Sequence, residues 1–181
     1  MSEEIPDISE FGSVGPTTPS SKTEMEIEMN ERHNPSACRR ILREAREHGL
    51  SSKLFDLAQD LRDGVYRAEA LCGLCASDEM IEEDRLEWVP IIVESMLEEE
   101  RAWRLAESIG IIAKSAGNWP ASGSRNALIE HLIRLTGGLP AGEARVDALK
   151  SISRGSLNKD CPNYFSWLSI ITAWNPKRPA R

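Results

Sequence analysis

No apolar run in the 181 residues approaches the ~20 that a helix needs to cross a bilayer. The opening stretch MSEEIPDISE is acidic and has no apolar core of the kind that directs secretion. It does not read as a signal peptide, so the expected location is cytoplasmic, with no membrane partner. Cysteines number only four, Cys38, Cys72, Cys75 and Cys161. In a cytoplasmic chain these are expected to be reduced thiols rather than a disulfide framework. A basic excess is missing too. The net charge is −7, and residues 1 to 33 hold eight acids and two bases, which leaves −1 for all the rest. A duplex-binding domain would carry a strong positive balance, so nucleic acid is a disfavoured partner. Nucleophile elbow, phosphate loop and dinucleotide fingerprint are all absent, and no enzyme activity or cofactor is expected.

What is present is helical periodicity. Residues 1 to 33 contain GSVGPTTPSSK and almost no large apolar side chain before Met25. They cannot bury enough surface to offset their ordering entropy, and a disordered acidic tail is expected there. One piece of it, Thr23 to Met29, alternates acid and apolar with period two. Extended, it would set Met25, Ile27 and Met29 on one side, as a docking strand does, or serve as a solvated linker. From Asn34 the pattern changes. Asn34-Pro35 is a helix start, and Cys38, Ile41, Leu42 and Ala45 follow at i, i+3, i+4, i+7. Gly49 stops this helix, and Ser51 or Ser52 opens another carrying Leu54 to Leu61. Asp63-Gly64 marks a turn before a helix reaching about Ala76. Two further pairs are expected near 80–98 with 100–116, and 124–136 with 141–154. Pro90 should kink the first of these or mark its start. Gly117 to Gly123 reads as a loop, and Gly137-Gly138-Leu139-Pro140 as a stop and turn. A short last helix, 163 to 174, precedes a loose basic tail at 176–181.

The hairpins repeat. Three segments align without gaps: Arg67 to Cys75, Leu105 to Ala113, and Arg145 to Ser153. In each an acid (Glu69, Glu107, Asp147) precedes a small residue (Ala70, Ser108, Ala148) and a large aliphatic (Leu71, Ile109, Leu149). Three residues on comes a second aliphatic (Leu74, Ile112, Ile152), then a small residue (Cys75, Ala113, Ser153). Large side chains at i and i+3 fill a seam between layers, and small ones beside them let helices approach. Stacked pairs can then bury a continuous core that one pair cannot.

The runs Arg67-Ala68-Glu69-Ala70-Leu71 and Ala106-Glu107-Ser108-Ile109-Gly110 resemble the second-helix signature of HEAT repeats, in particular the short lyase-type HEAT-like repeat. The resemblance spans about residues 51 to 154. The hairpins run somewhat longer than that unit, and Leu105 replaces the arginine of the other two copies. The resemblance implies an all-α fold: a short right-handed α-solenoid of about three HEAT-like antiparallel helix pairs with flanking cap helices. The repeat domain would span 34–175. It further implies a non-catalytic scaffold that binds a protein partner, since most such families are scaffolds and a minority are enzymes.

Four features compete for a more specific role. Cys72-Gly73-Leu74-Cys75 has the CxxC spacing of a redox pair or half a zinc site, which is an alternative function. It lies inside a helical run, however, and Cys75 aligns with Ala113 and Ser153, so it reads as a packing residue. The three histidines, His33, His48 and His131, do not occupy matched repeat positions, so no metal is expected; His48 suits a helix C-terminus as a cation. Arg39, Arg40 and Arg43, with Arg46, could bind phosphate, and a nucleic-acid accessory role using them and the basic tail is the second alternative. Arg40–Glu44 and Arg43–Glu47 at i, i+4 would partly neutralise that row, as suits the polar face of a terminal cap. Last, Tyr164, Phe165, Trp167, Ile171 and Trp174 leave the final helix with little polar face, so it is either buried on both sides or an association surface.

Overall fold

The computed structural model describes residues 35 to 155. These form seven α-helices and no strand: α1 (Pro35–His48), α2 (Ser52–Gln59), α3 (Gly64–Leu74), α4 (Glu82–Leu97), α5 (Ala102–Ala116), α6 (Gly123–Gly138) and α7 (Glu143–Gly155). Met25, Ile27 and Met29, the aromatic row Tyr164, Phe165, Trp167, Ile171 and Trp174, Cys161 and both tails lie outside the described residues.

Local chemistry sets the helix limits. Pro35 opens α1, where its fixed φ suits a first helical turn and its missing N–H costs nothing. Gly49 ends it at φ +83°, a conformation that a Cβ would oppose, with its N–H on the Ala45 carbonyl at 3.0 Å. Asp63 caps α3 by accepting the Val65 N–H at 3.0 Å. The helix therefore starts at Gly64, inside the expected turn, and stops at Leu74, short of Ala76. Leu61 is buried, but in the bend after α2 rather than in the helix.

Two expectations about breakers are corrected. Pro90 does not mark the start of α4, since it lies inside a helix that runs from Glu82 to Leu97. Pro90 is exposed, so the Leu86 carbonyl that loses its N–H donor is on a wet face where water can replace it. Helix α6 runs through Gly137 and Gly138 rather than stopping before them. It ends at Leu139, which adopts φ −65°, ψ 146°. The ring of Pro140 excludes the helical conformation for the residue before it, so proline sets this boundary and the glycines do not.

Packing is layered. Helix α3 lies against α1, α2, α4 and α5; α5 lies against α3, α6 and α7; α4 lies against α3 and α6. The second helices of successive hairpins, α3, α5 and α7, are thus side by side, with α4 and α6 beside one another on top of them. Phe55 of α2 stacks on Trp88 of α4, ring centroids 4.7 Å apart, and so joins α2 to that upper row. The aligned repeat positions carry the seam. Ala70, Ser108 and Ala148, Leu71, Ile109 and Leu149, and Leu74, Ile112 and Ile152 are all buried. Cys75 and Ala113 are fully buried, while Ser153 in the last copy is half-buried. Each large aliphatic held there is worth about 1.5–3 kcal/mol over an exposed one.

Glycines mark the closest approaches. A Cβ on Gly64 would stand 2.1 Å from the Ser95 carbonyl oxygen, so α3 begins directly against the α4 backbone. A Cβ on Gly73 would stand 2.5 Å from a Leu42 methyl, and this is where α1 seats on α3. Neither approach tolerates a larger residue without movement.

Candidate functional site

The Cys72-x-x-Cys75 pair ends α3 in the deepest part of the core. Both thiols are fully buried, and Cys38 of α1 is buried as well. Burial pushes Cys72 up to about 12 and Cys38 likewise to about 12, and it raises Cys75 further, with the neighbouring Cys72 adding to the rise. A thiol held protonated is a poor nucleophile at neutral pH. Cys72 Sγ instead lies 3.8 Å from the Ile112 carbonyl of the adjoining helix. Among the described residues no three His, Cys, Asp or Glu side chains are grouped as a metal site would require. His48 is the last residue of α1, with Nε2 3.7 Å from Glu44. Glu44, expected to neutralise Arg40, therefore also faces the histidine.

Arg39 and Arg43 are exposed on α1, and Arg40 is half-buried. The Arg39 guanidinium donates through Nε to the Pro35 carbonyl at 3.2 Å, which folds it back on its own helix. Across from it, half-buried Glu69 of α3 has its carboxyl pushed up by desolvation, with Arg39 pulling the other way.

Two charged junctions not legible in the repeat alignment tie the layers together. At one end of the hairpins, Arg104 bonds Asp63, the α3 cap, and reaches Glu99 at 2.7 Å. Arg101 holds the same Glu99 through Nε at 2.8 Å and Nη2 at 3.0 Å, and its backbone N–H donates to it at 2.9 Å. Glu99 thereby braces the turn that leads into α5, and its carboxyl is held down to about 2, first by the Arg101 side-chain bonds. Arg67 adds a bond to Glu98 at 2.5 Å and to the Leu61 carbonyl at 2.8 Å. At the other end, Arg85 is buried. It donates to the carbonyls of Cys75 at 2.9 Å and Ser77 at 2.7 Å, where α3 ends. Glu82, one turn before it, accepts the Ser124 N–H at 2.6 Å and the Ser124 hydroxyl at 2.8 Å, capping α6. Trp119 completes this end. Its indole N–H donates to the Cys72 carbonyl at 3.0 Å, and the ring is buried. The segment 117–123, expected as a loop, is thus tied to the core through Trp119.

Away from these junctions, one concavity has the makings of a binding surface. It lies between α5 and α7, open to solvent, with a volume of about 600 Å3. Ala106, Gly110, Ala144 and Ser151 are among its lining, and a Cβ on Gly110 would sit 3.1 Å from the Ser151 hydroxyl. Trp103 stands at the α5 N-terminal end, 60% exposed, with the Arg101 guanidinium over its ring at 5.7 Å. Glu107, Lys114, Glu143 and Asp147 are exposed along it. None of these was marked as a binding residue by sequence, and Glu107 and Asp147 entered only as the acids of the aligned segments. The available signal was positional: Trp103, Glu107, Gly110 and Lys114 share one face of a helix whose other face holds the repeat aliphatics. A second concavity of about 580 Å3 lies where α1 and α3 end, lined by Leu42, Arg46, Gly73, Glu79 and Asn118 among others. Glu79 there accepts the Leu50 N–H at 2.9 Å, so it serves the α1–α2 turn.

No helix among the described residues is long and apolar enough to cross a membrane. No protein-family model matches the sequence, and no curated protein and no solved structure is found to be similar to it.

Proposed function

We propose that the chain is a short HEAT-like α-solenoid acting as a non-catalytic protein-binding scaffold in the cytoplasm. Support for the repeat comes from register: three aligned segments bury equivalent residues on three helices that lie side by side. The observation that carries the binding role is the groove between α5 and α7 with Trp103 exposed beside it. Small-molecule sites are enclosed and mostly apolar, with a few converging polar groups. This groove is open and edged by charges, with one large aromatic that Arg101 already holds in place. That composition suits a segment of a protein partner that seats an apolar side chain against the indole.

The test is site-specific photo-cross-linking. A photoreactive residue replacing Glu107 should yield one defined protein adduct in the native host, and the same residue at Glu130 on α6 should not. The purified adduct partner should bind Trp103→Ala at least ~30-fold more weakly, the loss typical of an interface anchor, with helicity unchanged. Equal adducts at both positions, or undiminished binding by Trp103→Ala, would reject the groove as the binding surface.

A further inference from the structure

The outer face of α4 is unlike that of any other described helix. Leu86, Pro90 and Leu97 fall at i, i+4 and i+11, which places them within roughly 40° of one another around the axis. Leu86 is 44% exposed and Leu97 57%, and Pro90 is exposed between them. Next to this row, on one side only, run Glu83, Glu87 and Glu94, all exposed. Residues 82 to 100 hold eight acids and a single base, Arg85, which is buried against the end of α3; Glu98 and Glu99 are met by Arg67, Arg101 and Arg104, whereas Glu83, Glu87 and Glu94 stand beside the row itself. The rest of the chain therefore sums to zero, and the acidity of the structured part is concentrated here. A surface helix in a solenoid has no packing reason to expose a leucine row, and acids on α6, such as Glu130, are balanced by a neighbouring arginine.

The geometry points to a second docking surface on α4, whose occupant is an amphipathic helix of a partner protein bearing a leucine-like row beside a row of lysines or arginines. Leu86 to Leu97 spans ~16 Å, about three helical turns, so a partner helix of that length can follow the row. Pro90 adds to the fit because it supplies no N–H to the Leu86 carbonyl, leaving an acceptor on the wet face for a basic side chain. Charge selects among occupants. Two copies of α4 paired with each other would bring the glutamate rows together, which opposes a symmetric dimer. The N-terminal 33 residues, at −6, are repelled as well. Residues 163 to 174 are apolar but carry no base, and the bases Lys177, Arg178 and Arg181 have no large apolar neighbour among 175–181 other than Trp174 just before them. The basic row of α1 offers charge without a leucine row. An external basic amphipathic helix satisfies both requirements together. This surface is separate from the α5–α7 groove and does not depend on it.

The experiment uses the full chain, isotope-labelled, titrated with two synthetic helical peptides of about five turns. Each carries leucines at i, i+4, i+7 and i+11; one has arginines in the adjoining row and the other glutamates. Amide shifts should cluster on α4 with the arginine peptide, and the glutamate peptide should bind at least tenfold more weakly. Leu86→Ser with Leu97→Ser should weaken the arginine peptide tenfold or more while leaving the Trp103 indole signal in place. Glu87→Lys with Glu94→Lys should reverse the preference between the peptides, which a merely sticky leucine surface would not do. Equal binding of both peptides, shifts centred on α5 and α7, or no response to charge reversal would overturn the proposal. So would concentration-dependent α4 shifts without peptide, which would identify a second copy as occupant. None of these results bears on cross-linking from position 107, so the two surfaces stand or fall separately.

Discussion

Two carboxylates, Glu99 and Glu69, are set to opposite tasks by their surroundings. Glu99 is ringed by Arg101 and Arg104, and its carboxyl sits at about 2 against an ordinary 4.5. A depressed carboxyl contributes stability that is present above the unfolded value and lost as pH falls through the folded one. Thermal melts should therefore show stability draining between about pH 4.5 and 2, and Glu99→Gln should lower the melting point at pH 7 while flattening that acid limb. Glu69 has the opposite sign. Its carboxyl is raised by desolvation, so its charge costs stability at neutral pH and that cost disappears on acidification. Glu69→Gln should raise the melting point at pH 7 and converge with the parent below pH 4. Melts showing the same sign for both substitutions would refute this reading of the two sites. The three buried thiols belong at this scale as well. Their position in the repeat already marked Cys75 as a packing residue. The degree of burial of Cys72 was not legible, because its aligned partners are half-buried Gly110 and exposed Lys150. Cys72 is covered because α3 has neighbours on both sides and because Trp119, from 47 residues away, closes over its carbonyl.

At the scale of elements, periodicity located all seven described helices, and most of their limits followed from caps. What failed was the weight given to breakers. Pro90 stays within α4 because its face is wet, and Gly137 and Gly138 stay within α6 because nothing competes with the helix there. Whether a breaker breaks is decided by its tertiary surroundings, which a single sequence does not display. The glycines make this measurable. A Cβ on Gly137 meets nothing within 4 Å, so Gly137→Ala should stabilise the fold by ~0.5–1 kcal/mol through reduced chain entropy. A Cβ on Gly64 collides with the Ser95 carbonyl, so Gly64→Ala should force α3 from α4 and cost ~2 kcal/mol or more. Urea unfolding of the two variants checks both signs. The junctions around Arg85 and Arg104 were also hidden from the sequence, since each includes a bond between groups 41 or 42 residues apart that only the folded chain brings together.

For the whole molecule, the layered order was legible from three aligned segments, whereas its surfaces were not. The residues first marked for binding were conspicuous by type: arginines on α1, and aromatics and alternating methionines beyond the described residues. Those found on concave or apolar surfaces, Trp103, Leu86 and Leu97, are ordinary members of helical patterns, and only exposure distinguishes them. The periodicity explains why: it specifies which side of each helix turns inward, and function is left to whatever stands on the other side. The central claim is that the second helices present a binding face. Hydrogen exchange of the full chain, with and without the partner cross-linked at position 107, tests it most directly. Slowed exchange over 103–114 and 143–151, with 52–59 unchanged, is the result predicted; a partner that binds while leaving both segments unprotected would contradict it.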